Sequence, residues 1–252
     1  HWMAEGAKAV EAAGAKIIDI NFGCPSRKVT SGMSGSALMR EPELAVAIVK
    51  AVVDAVDVPV TVKMRLGWDH DSLNAVDIAK ASEDLGVQMI TVHGRTRCQF
   101  YKGRADWSAL KPVKQAVSVP VFVHGDILTA ADATEALVQS SCDGVMIGRG
   151  LIGAPWNLST IRASVDGGET QPSLTKAQKG AVAIAHYKDM LSFYGAGKGL
   201  RVARKHLAGY VEDIAPDDID GVRTDICRST DPSYVIERLQ DLFGVTSKEV
   251  AA

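Results

Sequence analysis

The chain has 252 residues, 46% of them hydrophobic and 23% charged, which fits a soluble globular protein with room for a sizeable core. A formal net charge of −2 excludes a globally basic nucleic-acid binder, so a polyanionic partner has to be met by a local patch. Cys24, Cys98, Cys142 and Cys227 lie far apart without zinc-ligand spacing, and no apolar run reaches the roughly 18 to 20 residues of a spanning helix; the expectation is a cytoplasmic protein with no metal, no disulfide framework and no membrane partner.

In chain order, residues 1–14 carry Ala7, Val10 and Ala13 on one face and read as a helix already under way. Five β-branched runs follow at residues 17–21, 58–65, 87–93, 119–124 and 144–147, with helical patterns between them, a rhythm that predicts parallel βα units. Pro59 and Pro120 stand at strand starts, where a missing N–H is tolerated. Asp71-Ser72 is expected to cap a helix that Gly86 ends, and Thr129 to cap residues 130–138. Beyond Pro155-Trp156 only helical patterns remain, with a boundary at Pro172-Ser173 and a break between two helices at residues 195–199. The expected domains are therefore residues 1–165, an α/β sheet unit, and residues 173–248, a small helical bundle.

Polar residues collect where the strand runs end: Asn21 to Cys24, Lys63 and Arg65, His93 to Arg95, His124 to Asp126, and Gly148-Arg149. In parallel α/β folds ligands bind outside the carboxyl ends of strands, so five such ends predict one shared site. No single switch point stands out, and an eight-stranded TIM-type barrel accounts for this better than an open sheet. Since only five strand runs are present, the expectation is a chain that lacks the first three strands.

Individual residues carry distinct chemistry. Cys24 follows a strand directly, where a thiol reaches an active site. Lys63 alternates with Val60, Val62 and Met64 in a way compatible with an inward side chain; it reads as a Schiff-base nucleophile, as a cation beside an anionic cofactor, or as an edge lysine. Gly148-Arg149 and the turn at His124, Gly125 and Asp126 suit a phosphate, through close backbone approach and bidentate donors. The loop from His93 through Arg95 and Arg97 to Trp107 combines cations with aromatics and fits a large planar substrate. In the helical part, Lys198, Arg201, Arg204, Lys205 and His206 form either a solvated helix face or a phosphate-binding strip.

Asn21-Phe22-Gly23-Cys24-Pro25 with Lys28, Gly32 and Gly35-Ser36-Ala37-Leu38, then Lys63-Met64-Arg65-Leu66-Gly67-Trp68, His93 to Arg97, Tyr101-Lys102-Gly103, Gly125-Asp126-Ile127 and Met146 to Gly150 together resemble the tRNA-dihydrouridine synthases, most of all the bacterial B-type. The resemblance runs through essentially the whole chain. It implies an enzyme that uses FMN and NADPH to reduce particular uridines in tRNA and that is monomeric when full length. Hydride would pass from reduced FMN to C6 of a flipped-out uracil, and Cys24 would protonate C5; a thiol of pKa about 8.5 is mostly protonated at neutral pH and can act as an acid. By the same resemblance Lys63, His93, His124, Gly125, Asp126, Gly148 and Arg149 would hold FMN. Asn21, Lys28, Arg95, Arg97, Arg201, Arg204 and Lys205 would meet the uridine or the tRNA backbone. His124 stands where the family usually has Asn, and the N-terminal flavin-binding strands of the family are not in the sequence. A non-catalytic tRNA-binding remnant is the alternative, and a Schiff-base lyase built on Lys63 a more distant one.

Overall fold

The computed structural model describes residues 1–169, 172–214 and 219–245. They fall into two compact units, His1–Gly148 and Arg149–Ala252. The expected helical domain, residues 173–248, includes positions 215–218 and 246–248, which lie outside the described residues.

The first unit is an α/β sheet of five parallel strands in sequential order: β1 (Ile18–Asn21), β2 (Val60–Arg65), β3 (Met89–His93), β4 (Val121–His124) and β5 (Gly144–Met146). Its helices are α1 (Trp2–Ala12), α2 (Arg27–Thr30), α3 (Pro42–Val53), α4 (Ala75–Asp84), α5 (Lys111–Ala116) and α6 (Ala130–Ser140). Sequential parallel order with right-handed crossovers puts the connecting helices on one face. That face is apolar: Ile20, Val62, Met64, Ile90, Val92, Val121 and Val123 are all buried.

Side chains on a strand alternate between faces, so the register fixes what stands on the other one. Asn21 pairs with Lys63, Lys63 with Thr91 and Thr91 with Phe122; one pleat further, Arg65 pairs with His93 and His93 with His124. The sheet is apolar towards its helices and polar opposite them, most strongly at its carboxyl end.

The strand positions agree with the sequence reading, with later starts. β2 and β4 begin one residue after Pro59 and Pro120, whose ring nitrogens cannot donate to the ladder. At β3 the backbone N–H of Val87 is engaged by the carbonyl of Ser82 and that of Gly86 by Glu83, a Schellman closure of α4 with Gly86 at φ +99. The expected cap at Asp71-Ser72 is corrected: α4 starts at Ala75, and the Ser72 hydroxyl donates instead to Asp69. Thr129 caps α6 in a reciprocal capping box with Asp132.

The second unit contains a short 3₁₀ turn, Arg149–Leu151, and α7 (Asn157–Asp166), α8 (Lys176–Tyr194), α9 (Ala196–Ile214), α10 (Ile219–Arg228) and α11 (Pro232–Phe243). Ile184, Tyr187, Leu207, Tyr210, Val211, Ile226, Leu239 and Phe243 form its core. The predicted break between α8 and α9 narrows to Gly195, at φ +72. Gly199 is helical, and a Cβ there would lie 2.9 Å from the carbonyl oxygen of Met190.

Candidate active site

Cys24 lies three residues beyond the end of β1, in a loop fastened from three directions. The Asn21 side-chain oxygen accepts from the Gly23 N–H at 2.8 Å. Both the N–H (3.0 Å) and the hydroxyl (2.8 Å) of Ser36 donate to the Cys24 carbonyl. Arg65 Nε donates to the Gly23 carbonyl at 2.9 Å. Gly35, at φ +57, makes the Ser36 contact possible: a Cβ there would lie 2.8 Å from the Cys24 carbonyl oxygen. The thiol is half-buried and unpaired with any other cysteine.

Arg65 is buried, and its Nη1 also donates to the carbonyls of Thr96 and Phe100 at 2.8 and 2.9 Å. One guanidinium thus ties the cysteine loop to the loop after β3. The sequence marked Arg65 as a strand-end residue without giving it this function; alternation places it on the same face as Lys63, which is the signal available beforehand. Burial pulls its pKa down to about 10.

Lys63 stands one pleat below, facing the backbone before the cysteine: a Cβ at Gly23 would lie 3.5 Å from Lys63 Nζ and 3.6 Å from Asn21 Oδ1. Burial first, then the Arg65 charge, lowers the Lys63 pKa to about 8, with Asp19 opposing the shift. Asp19 itself accepts a 2.7 Å hydrogen bond from Thr61.

His93 is buried, and its pKa is driven far below the ordinary imidazole range by burial first, followed by the charges of Arg65, His124, Lys63 and Arg95. It is therefore neutral. Its Nδ1 and the Thr91 hydroxyl are both buried without a hydrogen-bond partner. The His124 ring lies 4.9 Å from that of His93, and its Nδ1 sits 2.8 Å from the Met146 carbonyl, which assigns the proton to Nδ1. Gly148 leaves room beside this ring, since a Cβ would come within 3.1 Å of His124 Cε1.

Arg95 and Asp126 pair with each other. The Arg95 guanidinium is 1% exposed; it binds both carboxylate oxygens of Asp126 and donates to the carbonyls of Lys102 and Gly103. Asp126 also accepts from the Ala105 N–H at 2.8 Å, and Trp107 Nε1 donates to the Gly125 carbonyl at 2.8 Å. These Arg95 donors are engaged inside the loop expected to meet tRNA, and they hold it closed. Asp126 likewise serves that loop with its carboxylate. Gly125, at φ +119, packs against His93, a Cβ there falling 3.2 Å from His93 Nε2.

Arg97 reaches the Thr30 hydroxyl at 3.1 Å, and Lys28 is exposed on α2 in the same cysteine loop. In the second unit Arg149 opens the 3₁₀ turn, and Arg201, Arg204 and Lys205 are exposed on α9. No carboxylate among the described residues pairs with these three. No cluster of three metal-ligating side chains exists among the described residues, nor a helix long and apolar enough to cross a membrane.

The assembled site of the first unit therefore has an unpaired thiol, two polar atoms without partners, and more cations than anions. A family model described as dihydrouridine synthase matches residues 1–240. The chain belongs to the dihydrouridine synthase family. It is 52% identical over 242 residues to a probable tRNA-dihydrouridine synthase of Rhodobacter capsulatus, covering 96% of this chain and 73% of that protein. A protein of the same description from Rhizobium leguminosarum bv. phaseoli is 50% identical over 239 residues, with 95% and 73% covered. The tRNA-dihydrouridine synthase B of Proteus vulgaris is 44% identical over 241 residues, with 96% and 74% covered. Within this dihydrouridine synthase family member, the site geometry rests on the β1, β2 and β3 strand ends with the β4 turn beside them.

Proposed function

We propose that the protein is a tRNA-dihydrouridine synthase of the cytoplasm, reducing particular uridines in tRNA to 5,6-dihydrouridine with FMN bound and NADPH as reductant. The observation that supports this most is the cation-rich face formed by Lys63, Arg65, Thr91 and His93 next to the Cys24 loop, on which the Thr91 hydroxyl and His93 Nδ1 lack partners. The fit to a flavin rests on that face. A buried imidazole nitrogen and a buried hydroxyl without partners await a ligand with polar edges. The Lys63 amine, with no hydrogen bond or ion pair among the described residues, supplies positive charge where a reduced ring carries negative charge. In this reading the sheet is barrel wall, and its polar face is the interior.

Bound FMN supplies hydride, ultimately from NADPH, for C6 of the uracil. The chain's own residues do the rest. Cys24 gives its Sγ proton to C5 as the C5–C6 double bond is lost, and the thiolate regains a proton from water. Asn21, whose side-chain oxygen is turned to Gly23, keeps its amide N–H groups for the uracil edge. His93, held neutral, and Lys63 would orient the flavin; His124, Gly125 and Gly148 would line its ribityl and phosphate end. Lys28 and Arg97 meet the tRNA at the pocket, and Arg201, Arg204 and Lys205 meet its backbone from the helical domain. Extruding a uridine costs a few kcal/mol, which such phosphate contacts offset.

The test is direct: unmodified tRNA incubated with the protein, FMN and NADPH should gain two hydrogens per modified uridine by mass spectrometry, with NADPH consumed in step. A protein that retains flavin but leaves tRNA unchanged would refute the assignment.

A further inference from the structure

Two arginines converge on one indole beside the cysteine loop. Arg40 closes the 3₁₀ segment Gly35–Arg40 that pins Cys24, and its guanidinium carbon lies 4.0 Å from the centroid of Trp68. Arg97, on the loop after β3, lies 4.5 Å from the same ring and 4.6 Å from Phe100. Trp68 follows β2, so three separate elements of the first unit bring these groups together.

Neither arginine has a carboxylate partner among the described residues. Arg40 makes only a long contact to the Met33 sulfur, at 3.9 Å, and the buried Nε of Arg97 has no hydrogen-bond partner. Asp69, which follows Trp68, turns its Oδ1 to the Ser72 hydroxyl and the Asp71 N–H. Several other cations of the unit are paired: Lys50 with Asp54, Arg95 with Asp126, and Lys114 with Asp143. Stacking occupies the face of a guanidinium and leaves its in-plane N–H donors available, in the fork geometry that matches a phosphate. Two like charges gathered on one ring repel each other, and an anion placed between their donors relieves that repulsion.

We propose that Arg40 and Arg97, held by Trp68, clamp an RNA phosphodiester next to the uridine that enters the Cys24 pocket. This rests on the reading that the protein acts on tRNA. Thr30 and Gly35 bind the clamp to the cysteine loop from both sides, through the hydrogen bond from Arg97 and the segment that Arg40 ends.

Binding of unmodified tRNA by the whole protein, measured between 50 and 200 mM salt, tests the clamp. Loss of one phosphate contact lowers the slope of log affinity against log salt by about 0.7 to 0.9, so Arg40→Gln should show roughly threefold less salt sensitivity over that range. Arg40→Lys should keep the slope while weakening binding, because charge remains and the stacked fork is lost. In turnover, Arg40→Gln should raise KM for tRNA and leave kcat near wild type. Arg40 is exposed, so the fold should survive, which a matching thermal melt confirms. Lys80→Gln, on the exposed side of α4, is the control and should leave the slope unchanged. If the wild type binds and reduces tRNA while Arg40→Gln matches it in slope and KM, the clamp is refuted and the enzyme assignment stands. If the wild type neither binds nor reduces tRNA, both fall together.

Discussion

Replacing Lys63 by methionine should make the protein more stable at neutral pH while abolishing its activity. The Lys63 amine has a folded-state pKa of about 8 against an ordinary value of 10.5, burial being the main cause. Below pH 8 both folded and unfolded chains carry the charge, and the folded state bears the whole desolvation cost. Between about 8 and 10.5 the unfolded chain holds the proton that the folded protein has released, so stability rises with pH. Above that window the cost is gone. At about 1.4 kcal/mol per pKa unit the shift corresponds to about 3 kcal/mol, reduced to about 2 to 3 by the water that still reaches the half-buried amine. Methionine keeps the aliphatic length and removes the charge. Urea unfolding of both proteins at pH 7 and at pH 10 measures the difference. The variant should lead by about 2 to 3 kcal/mol at pH 7 and by much less at pH 10. A variant no more stable than wild type at pH 7, or a lead that does not shrink at pH 10, would refute the account of Lys63 as a cation held against its own solvation.

Two further substitutions test how the cysteine loop is held. Arg65→Met removes the donors to the carbonyls of Gly23, Thr96 and Phe100. It should cost about 2 to 4 kcal/mol and speed amide exchange across residues 22–36, with Arg65→Lys restoring only part of the protection. Gly35→Ala forces a Cβ to 2.8 Å from the Cys24 carbonyl at a φ of +57. It should lower stability by about 1 to 3 kcal/mol and turnover more steeply than flavin retention; unchanged kinetics would show that the position of the loop does not matter.

Much of the fold was legible because alternation and turn chemistry are local. The five strands, the Thr129 cap and the Gly86 stop follow from residue types within a few positions of each other. The cap at Asp71-Ser72 was misread because Asp69 competes for the Ser72 hydroxyl, and Asn74 turns its amide to the Met39 carbonyl instead of capping α4. Cys24, Lys63 and His93 stood out by chemistry at strand ends. Arg95 did not reveal its role, since sequence shows a charge and cannot show that Asp126, 31 positions later, takes it up. Arg65 and Arg40 were hidden for the same reason: their partners are backbone carbonyls and an indole brought near by the sheet.

The central claim is that Cys24 is the acid that protonates C5. Single-turnover reduction of unmodified tRNA by the flavin-loaded protein should yield dihydrouridine with wild type. With Cys24→Ala the predicted outcome is normal flavin content, normal tRNA affinity and no dihydrouridine; formation at the wild-type rate would contradict it.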